Sequence, residues 1–307
     1  MNNLQLIKKY APALAGVYTT GAKSSILDSG PELVRAGANA NEILIPQLSL
    51  DGLADYSRND AYVMGDIDLT WASVTFDYDR GRKFHLDAMD SEESGVSMGT
   101  GGEVTMADQT QQDYLTVSSA FMRRKVIPES DAFRFSRYAS AAVAAGNTET
   151  AAYTDGSVLL AKLAAIYANM TDKSVPEDQR YLFITSTLHS LAANVDRDKN
   201  KDILDKFAGI IEVPSDRFVS AIDLLDGKTT GEEIGGYTKA AGALDLNFEV
   251  IHKPAVLQYI KHGVNKVIDP VQNQTSDGWL FFFRLYQLSR PNPGHGNGLF
   301  VSQKTGA

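Results

Sequence analysis

The sequence predicts an α+β chain in which long extended segments and a long helix precede a compact mixed α/β region. Three observations carry this. Ile67, Leu69 and Trp71 alternate with Asp66, Asp68 and Thr70, the period of a strand with one apolar face. Ala107, Thr110, Tyr114, Val117 and Phe121 recur three and four apart, the period of a helix. From Ala151 onward, short apolar runs at 181–185 and 210–213 are interspersed with helical stripes, the texture of a folded α/β unit.

Residues 1–41 read as an arm. Gly16, Gly21, Gly30, Pro31 and Gly37 interrupt any period, and the apolar residues are scattered and small. Such a segment buries too little surface to order itself and must lie on something else.

Residues 42–90 read as an extended β-hairpin loop. The rising strand is 42–50, with Pro46 suiting an edge. Residues 51–65 are polar and form the tip. On the return strand the alternation changes phase after Ala72 and Ser73, so that Val74, Phe76 and Tyr78 become the repeating set. A β-bulge makes such a one-residue slip. Asp77, Asp79, Arg80, Arg82 and Lys83 then interleave both signs of charge. A lone two-stranded hairpin is marginal in water, so this one packs on its own domain or on a neighbouring subunit. Trp71 and Phe76, with the five charges after them, are the expected inter-subunit contacts.

The long helix is expected from Thr100 and Glu103, the spacing of a capping box, to Arg123, Arg124 and Lys125, cations suited to a helix C-terminus. From 101 to 125 it would be roughly 35–40 Å long. Pro128 is expected to kink or break it, because the residue before a proline is pushed from helical angles. A second helical stripe follows through Ala132, Phe135, Ala139 and Val143.

Beyond Ala151, Asp155 can cap a helix whose Leu159, Leu163, Ile166 and Met170 form one stripe. Strands are expected at 181–185, 210–213 and 246–251, with a brief helix at 186–194. Residues 227–242 hold Gly231, Gly235, Gly236 and Gly242 and read as a mobile loop. Residues 278–288 are apolar on both alternating sets, predicting a strand covered on both faces. A turn at 290–298 leads to a last strand from Leu299.

The chain has 307 residues, net charge −9, and no cysteine. Thiolate and disulfide chemistry are thereby excluded, and the acidic balance argues against a dedicated nucleic-acid binder. No run approaches the ~20 apolar residues of a membrane span. The five histidines, His85, His189, His252, His262 and His295, form no compact metal spacing. The glycines around His295 lead into no helix and read as a turn rather than a phosphate loop. No nucleophile elbow or Walker loop is present. Nothing in the sequence indicates an enzyme or a cofactor.

The order of parts (arm, long hairpin, long helix, α/β domain, return strand) resembles that of the major capsid proteins of tailed bacteriophages, the Hong Kong 97-type fold. Three strings resemble the hairpin-to-helix region of one large phage group: Asp51-Gly-Leu-Ala-Asp-Tyr-Ser-Arg58, residues 75–84, and Leu86-Asp-Ala-Met-Asp-Ser-Glu-Glu93. Residues 125–135 resemble the segment after its spine helix, and the C-terminal strand is similar too. The similarity spans nearly the whole chain.

What the resemblance implies is a shell protein in four parts: an N-terminal arm at 1–41, an extended loop at 42–90 lying over an adjacent subunit, a peripheral domain at 91–150 and 264–307 with the spine helix, and an axial domain at 151–263. Hexamers and pentamers would enclose double-stranded DNA without sequence-specific binding, in a virion capsid assembled in the host cytoplasm. A separate scaffolding protein, a portal and decoration proteins are the implied partners. Some family members join Lys and Asn side chains between subunits; Lys83 lies in the hairpin, but no partner for it is identifiable, and that chemistry is not carried over. The competing readings are an encapsulin-type bacterial compartment shell of the same fold and a soluble α/β enzyme with its site in 151–263.

Overall fold

A computed structural model describes residues 21–29, 35–36, 42–56, 62–90, 121–195 and 202–306. The capping box at Thr100 and the predicted helix before Phe121 lie outside the described residues.

The hairpin forms where it is expected. Strand β1 (Arg35–Ala36) pairs with β2 (Glu42–Leu50), and β2 pairs antiparallel with β3 (Ile67–Thr75). The predicted bulge at Ala72 and Ser73 is absent: the register runs unbroken from Glu42↔Thr75 to Leu50↔Ile67. The change of phase has another cause. The chain leaves one sheet at Thr75 and enters a second as β4 (Tyr78–Asp87). There β4 pairs with β12 (Gly278–Pro291), which pairs with β11 (Val256–Ile268), all antiparallel.

Pro128 does not end its helix. A π-helical turn (Met122–Val126) runs into α1 (Ile127–Ala144), and Ile127 keeps helical angles at φ −63° and ψ −50°. The Ile127 N–H bonds to the Met122 carbonyl five residues back. This wider turn relieves the clash a proline ring makes with the carbonyl four residues before it. On α1, Ala132, Phe135 and Ala139 are buried as expected, but Val143 is exposed, and Tyr138 and Ala142 complete the inner face.

Helix α1 joins the two halves of the molecule. With the π turn it contributes Met122, Val126, Ile127 and Phe133 to a core against Tyr78, Phe281, Phe283 and Leu285 of the three-stranded sheet. Farther along, Phe135, Tyr138, Ala139 and Ala142 pack on Phe183, Ile251 and Val301 of a five-stranded sheet. That sheet has the order β5 (Thr148–Ala151), β13 (Leu299–Lys304), β10 (Leu246–His252), β6 (Arg180–Thr185), β7 (Gly209–Val213). Its other face is covered by α2 (Gly156–Asp172), whose Leu159, Leu163, Ile166 and Met170 are buried against Leu182, Ile184, Phe248 and Val250. Asp155 caps α2 by accepting from the Ser157 N–H at 2.8 Å. Helix α3 (Ser186–Ala193) follows β6 directly.

Two further expectations are revised. The glycine-rich stretch is not all loop, because β9 (Gly236–Lys239) pairs with β8 (Ile222–Leu225) to form a small ribbon. Strand β12 is covered on both faces toward its ends and open on one face in the middle: Phe281, Phe283 and Leu285 are buried on one side, Leu280 and Leu288 on the other, and Arg284 between those two is exposed.

Part of the predicted arm lies on the chain's own body. Residues Lys23–Leu27 form a 3-10 turn whose Leu27 is fully buried in the α1 core. The buried Asp131 carboxylate accepts from the Lys23 N–H (3.0 Å), the Ser24 N–H (3.1 Å) and the Ser24 hydroxyl (2.6 Å).

Candidate inter-subunit surfaces

The hairpin shaft has two unlike faces, because successive side chains on a strand point to opposite sides. One face carries the cross-strand pairs Pro46↔Trp71, Leu48↔Leu69 and Leu50↔Ile67. All six are exposed; Leu48 is 61% exposed and Trp71 41%. The opposite face carries Gln47↔Thr70 and Ser49↔Asp68. Only the base of the shaft is covered, where Ile43 and Val74 pack against Leu288. Toward the tip, Leu53, Tyr62, Val63 and Met64 are also exposed. A monomer thus leaves a continuous apolar row in water, and burying each such side chain fully is worth ~1.5–3 kcal/mol.

The root of the hairpin is held by two residues. The Phe76 ring stacks on Tyr286 at 4.7 Å between centroids, with Lys261 Nζ 5.1 Å from its own centroid. The Asp77 carboxylate is nearly buried, 3.4 Å from Arg137 Nε and 3.2 Å from Arg290 Nε. Burial pushes its carboxyl above the ordinary carboxylate value, while the two guanidinium groups pull it down.

The charges of β4 find partners far away in the same chain. Arg284 donates to both Asp79 oxygens, at 2.8 and 2.6 Å, and this holds the Asp79 carboxyl below its usual value. Arg80 donates to Glu129 (2.8 Å) and to the carbonyls of Leu225 (2.7 Å) and Gly236 (3.0 Å), the pair that closes the β8–β9 ribbon. Arg82 donates to the Glu233 carbonyl at 3.0 Å. Lys83 Nζ sits 5.5 Å from the Phe282 ring centroid. Between β8 and β9 the loop is shaped by Asp226, which accepts from the Lys228 and Thr229 N–H groups and the Thr229 hydroxyl; these bonds hold its carboxyl at about 2.

Of the seven residues singled out in the sequence, then, Trp71 lies on the exposed apolar face of the shaft and Phe76 and Asp77 at its root. Asp79 and Lys83 lie on the open face of the β4–β12–β11 sheet, and Arg80 and Arg82 reach to the ribbon. Sequence reading missed what β11 adds to that open face. His262, Val264, Lys266 and Ile268 line a trough of about 620 Å³ there, with Lys83 and Phe282 among its other walls. No alternation marks β11, since both of its faces mix polar and apolar residues. A cavity of about 510 Å³ lies between β4, the π turn and the ribbon, walled by Phe84, Phe121, Phe283 and Arg82 among others. Among the described residues no group of three or more His, Asp or Glu side chains could hold a metal, and no helix is long and apolar enough to cross a membrane.

No protein-family model matches the chain, and no curated protein matches it. Among solved structures it is similar to phage capsids over most of its length. The capsid of the cyanophage P-SCSP1u superposes with a TM-score of 0.53 at 14% identity, covering 89% of this chain and 86% of that one. The mature capsid of bacteriophage PhiM1 gives 0.53 at 11% identity over 87% and 83%. A virus-like particle from Pyrococcus furiosus gives 0.51 at 8% identity over 95% and 96%. The chain has the α+β fold of these shells.

Proposed function

We propose that this protein is the major capsid protein of a tailed bacteriophage, assembling as hexamers and pentamers into the head shell around double-stranded DNA. The observation that carries the reading is the hairpin: a row of exposed apolar side chains along a shaft nine residues long on each strand. The fold shared with phage capsids supports it. The three-stranded sheet and α1 would form the peripheral part of the subunit, and the five-stranded sheet with α2 and α3 the axial part. The 226–235 loop would point to the shell's symmetry axes. The protein acts by packing rather than by catalysis, with scaffolding, portal and decoration proteins as its partners in the virion.

Electron microscopy of the purified protein, alone and with its genomic neighbours, tests this. Closed shells or six-membered rings are expected; monomers under every condition would sink it. Leu48→Ser combined with Trp71→Ser is expected to stop assembly. The unassembled chain should stay within about 0.5 kcal/mol of the parent's stability, as surface changes usually do.

An encapsulin-type compartment is the second reading, favoured by the near-complete mutual coverage with the Pyrococcus furiosus particle. The nucleic-acid content of particles isolated from the native source separates the two: packaged DNA supports the phage head, and enclosed protein cargo the compartment.

A further inference from the structure

We propose that the cavity between β4, the π turn and the β8–β9 ribbon is a binding site for a small organic anion, an oxyanion head on a flat apolar body. Its volume of about 510 Å³ falls inside the ~300–1,000 Å³ of ordinary small-molecule sites. The site belongs to the single chain and does not depend on how copies assemble.

The floor is aromatic. Phe121 stands edge-on to Phe84, at 4.9 Å between centroids, and to Phe283, at 5.8 Å. Phe283 is buried, but Phe84 and Phe121 are only partly covered, so ring surface is left for a ligand to cover. Rings favour such edge-to-face and offset contacts, and a flat ligand body can join them.

The rim is basic. Three carboxylates border the cavity, and each is already engaged. Asp79 is held by Arg284 in two bonds, Glu129 by Arg80, and Asp226 by the N–H groups of its own loop at Lys228 and Thr229. Against them stand Arg80, Arg82, Lys125 and Lys228 on the walls, with Arg284 beyond Asp79. Five cations thus meet three carboxylates, an excess of two on a chain whose net charge is −9. The excess falls on Arg82 and Lys125, which are exposed and form no ion pair among the described residues. Arg82 donates from Nη2 to a carbonyl, that of Glu233. Its Nη1 lies at the neck of the ribbon loop, where a Cβ on Gly227 would stand 2.7 Å away and one on Gly235 3.4 Å away. Glycine at both positions gives the guanidinium its room. A planar guanidinium with donors to spare matches a carboxylate, sulfonate or phosphate head in a two-bond fork. A ligand there touches β4 and the π turn on one side and Gly227, Lys228 and Ile234 on the other, and so fastens the loop to the body.

Anilinonaphthalene sulfonate, an aromatic anion that fluoresces when shielded from water, is the probe, titrated into the full unassembled chain. Saturable binding is expected, with slower hydrogen exchange at residues 227–235 and no change at residues 42–50. Arg82→Gln with Lys125→Gln should weaken binding about tenfold or more, because charge-assisted bonds are lost. Lys125→Gln alone should weaken it with thermal unfolding unchanged, since that side chain is exposed. Naphthoate should displace the probe, and neutral naphthalenemethanol should need about tenfold more to do so. Leu48→Ser with Trp71→Ser should bind the probe as the parent does. The site is overturned if binding does not saturate, or if it is lost in that hairpin variant. It is overturned equally if naphthalenemethanol competes as well as naphthoate, which makes the cations idle, or if inorganic phosphate does, which makes the aromatic floor idle.

Discussion

Glu249→Met should make the unassembled chain more stable, and increasingly so as pH rises. Glu249 lies in the middle of β10, between Phe183 of β6 and Val301 of β13. It is 1% exposed, and neither carboxyl oxygen accepts a hydrogen bond among the described residues. Burial pushes its carboxyl well above the ordinary 4.5, so the folded chain holds it as the neutral acid. Methionine is unbranched and adapts to irregular core space. Removing the unpaired polar group recovers its desolvation cost, about 1–3 kcal/mol.

A second contribution depends on pH. The unfolded chain releases the proton near 4.5 and the folded chain only at higher pH. Stability from this group is therefore complete below 4.5 and is lost at about 1.4 kcal/mol per pH unit as pH rises toward the folded value. The methionine variant lacks that loss. At about pH 7 it is expected to be at least ~2 kcal/mol more stable, with the gap narrowing toward about pH 5. Urea unfolding of both chains across that range reads this directly. A variant less stable than the parent near pH 7, or a gap that ignores pH, would refute the buried neutral acid.

Three further substitutions test the scaffold. Arg180 is fully buried and donates to the carbonyls of Tyr167, Val175 and Pro176 and to the Thr171 hydroxyl; Arg180→Met removes the donor of all four bonds and should cost about 3–5 kcal/mol in urea unfolding. Asp131→Ala removes the acceptor of the Lys23 and Ser24 N–H groups and of Arg217; hydrogen exchange at residues 23 and 24 should rise while that of α2 is unchanged. Gly81→Ala drives a methyl toward the Phe283 carbonyl oxygen and should cost about 1–3 kcal/mol in thermal unfolding.

The readable parts of this chain are those where one local signal decides. The α2 stripe and its Asp155 cap are examples, as are the strands at 180–185 and 246–252, where a run of apolar residues fits a sheet buried on both sides. Phase changes are harder, because a bulge and a switch between sheets leave the same trace; Phe76 and Asp77 mark a switch. Pro128 misleads because the π turn before it lies outside any local propensity rule. The charges of β4 could be recognised as paired but their partners could not. Arg284 is 205 residues from Asp79 and Glu129 is 49 residues from Arg80, distances over which only the completed fold assigns neighbours.

The hairpin also bears on why the protein would form rings. Its six exposed shaft residues are each about half covered already, so docking gains roughly 1 kcal/mol apiece, about 6 in all. Bringing two proteins together costs ~4–15 kcal/mol in lost freedom. One hairpin contact alone therefore holds a pair of copies weakly. A hairpin that docks on the body of a second copy joins two different surfaces, which makes the contact head-to-tail, and such contacts propagate until they close. The last copy to enter a closed ring makes two contacts, one as donor and one as acceptor, for a single loss of freedom. Closed rings are then favoured over pairs by the geometry of the contact itself. Partly built rings should be scarce at every concentration, and native mass spectrometry during assembly would see monomers and complete rings with little between them.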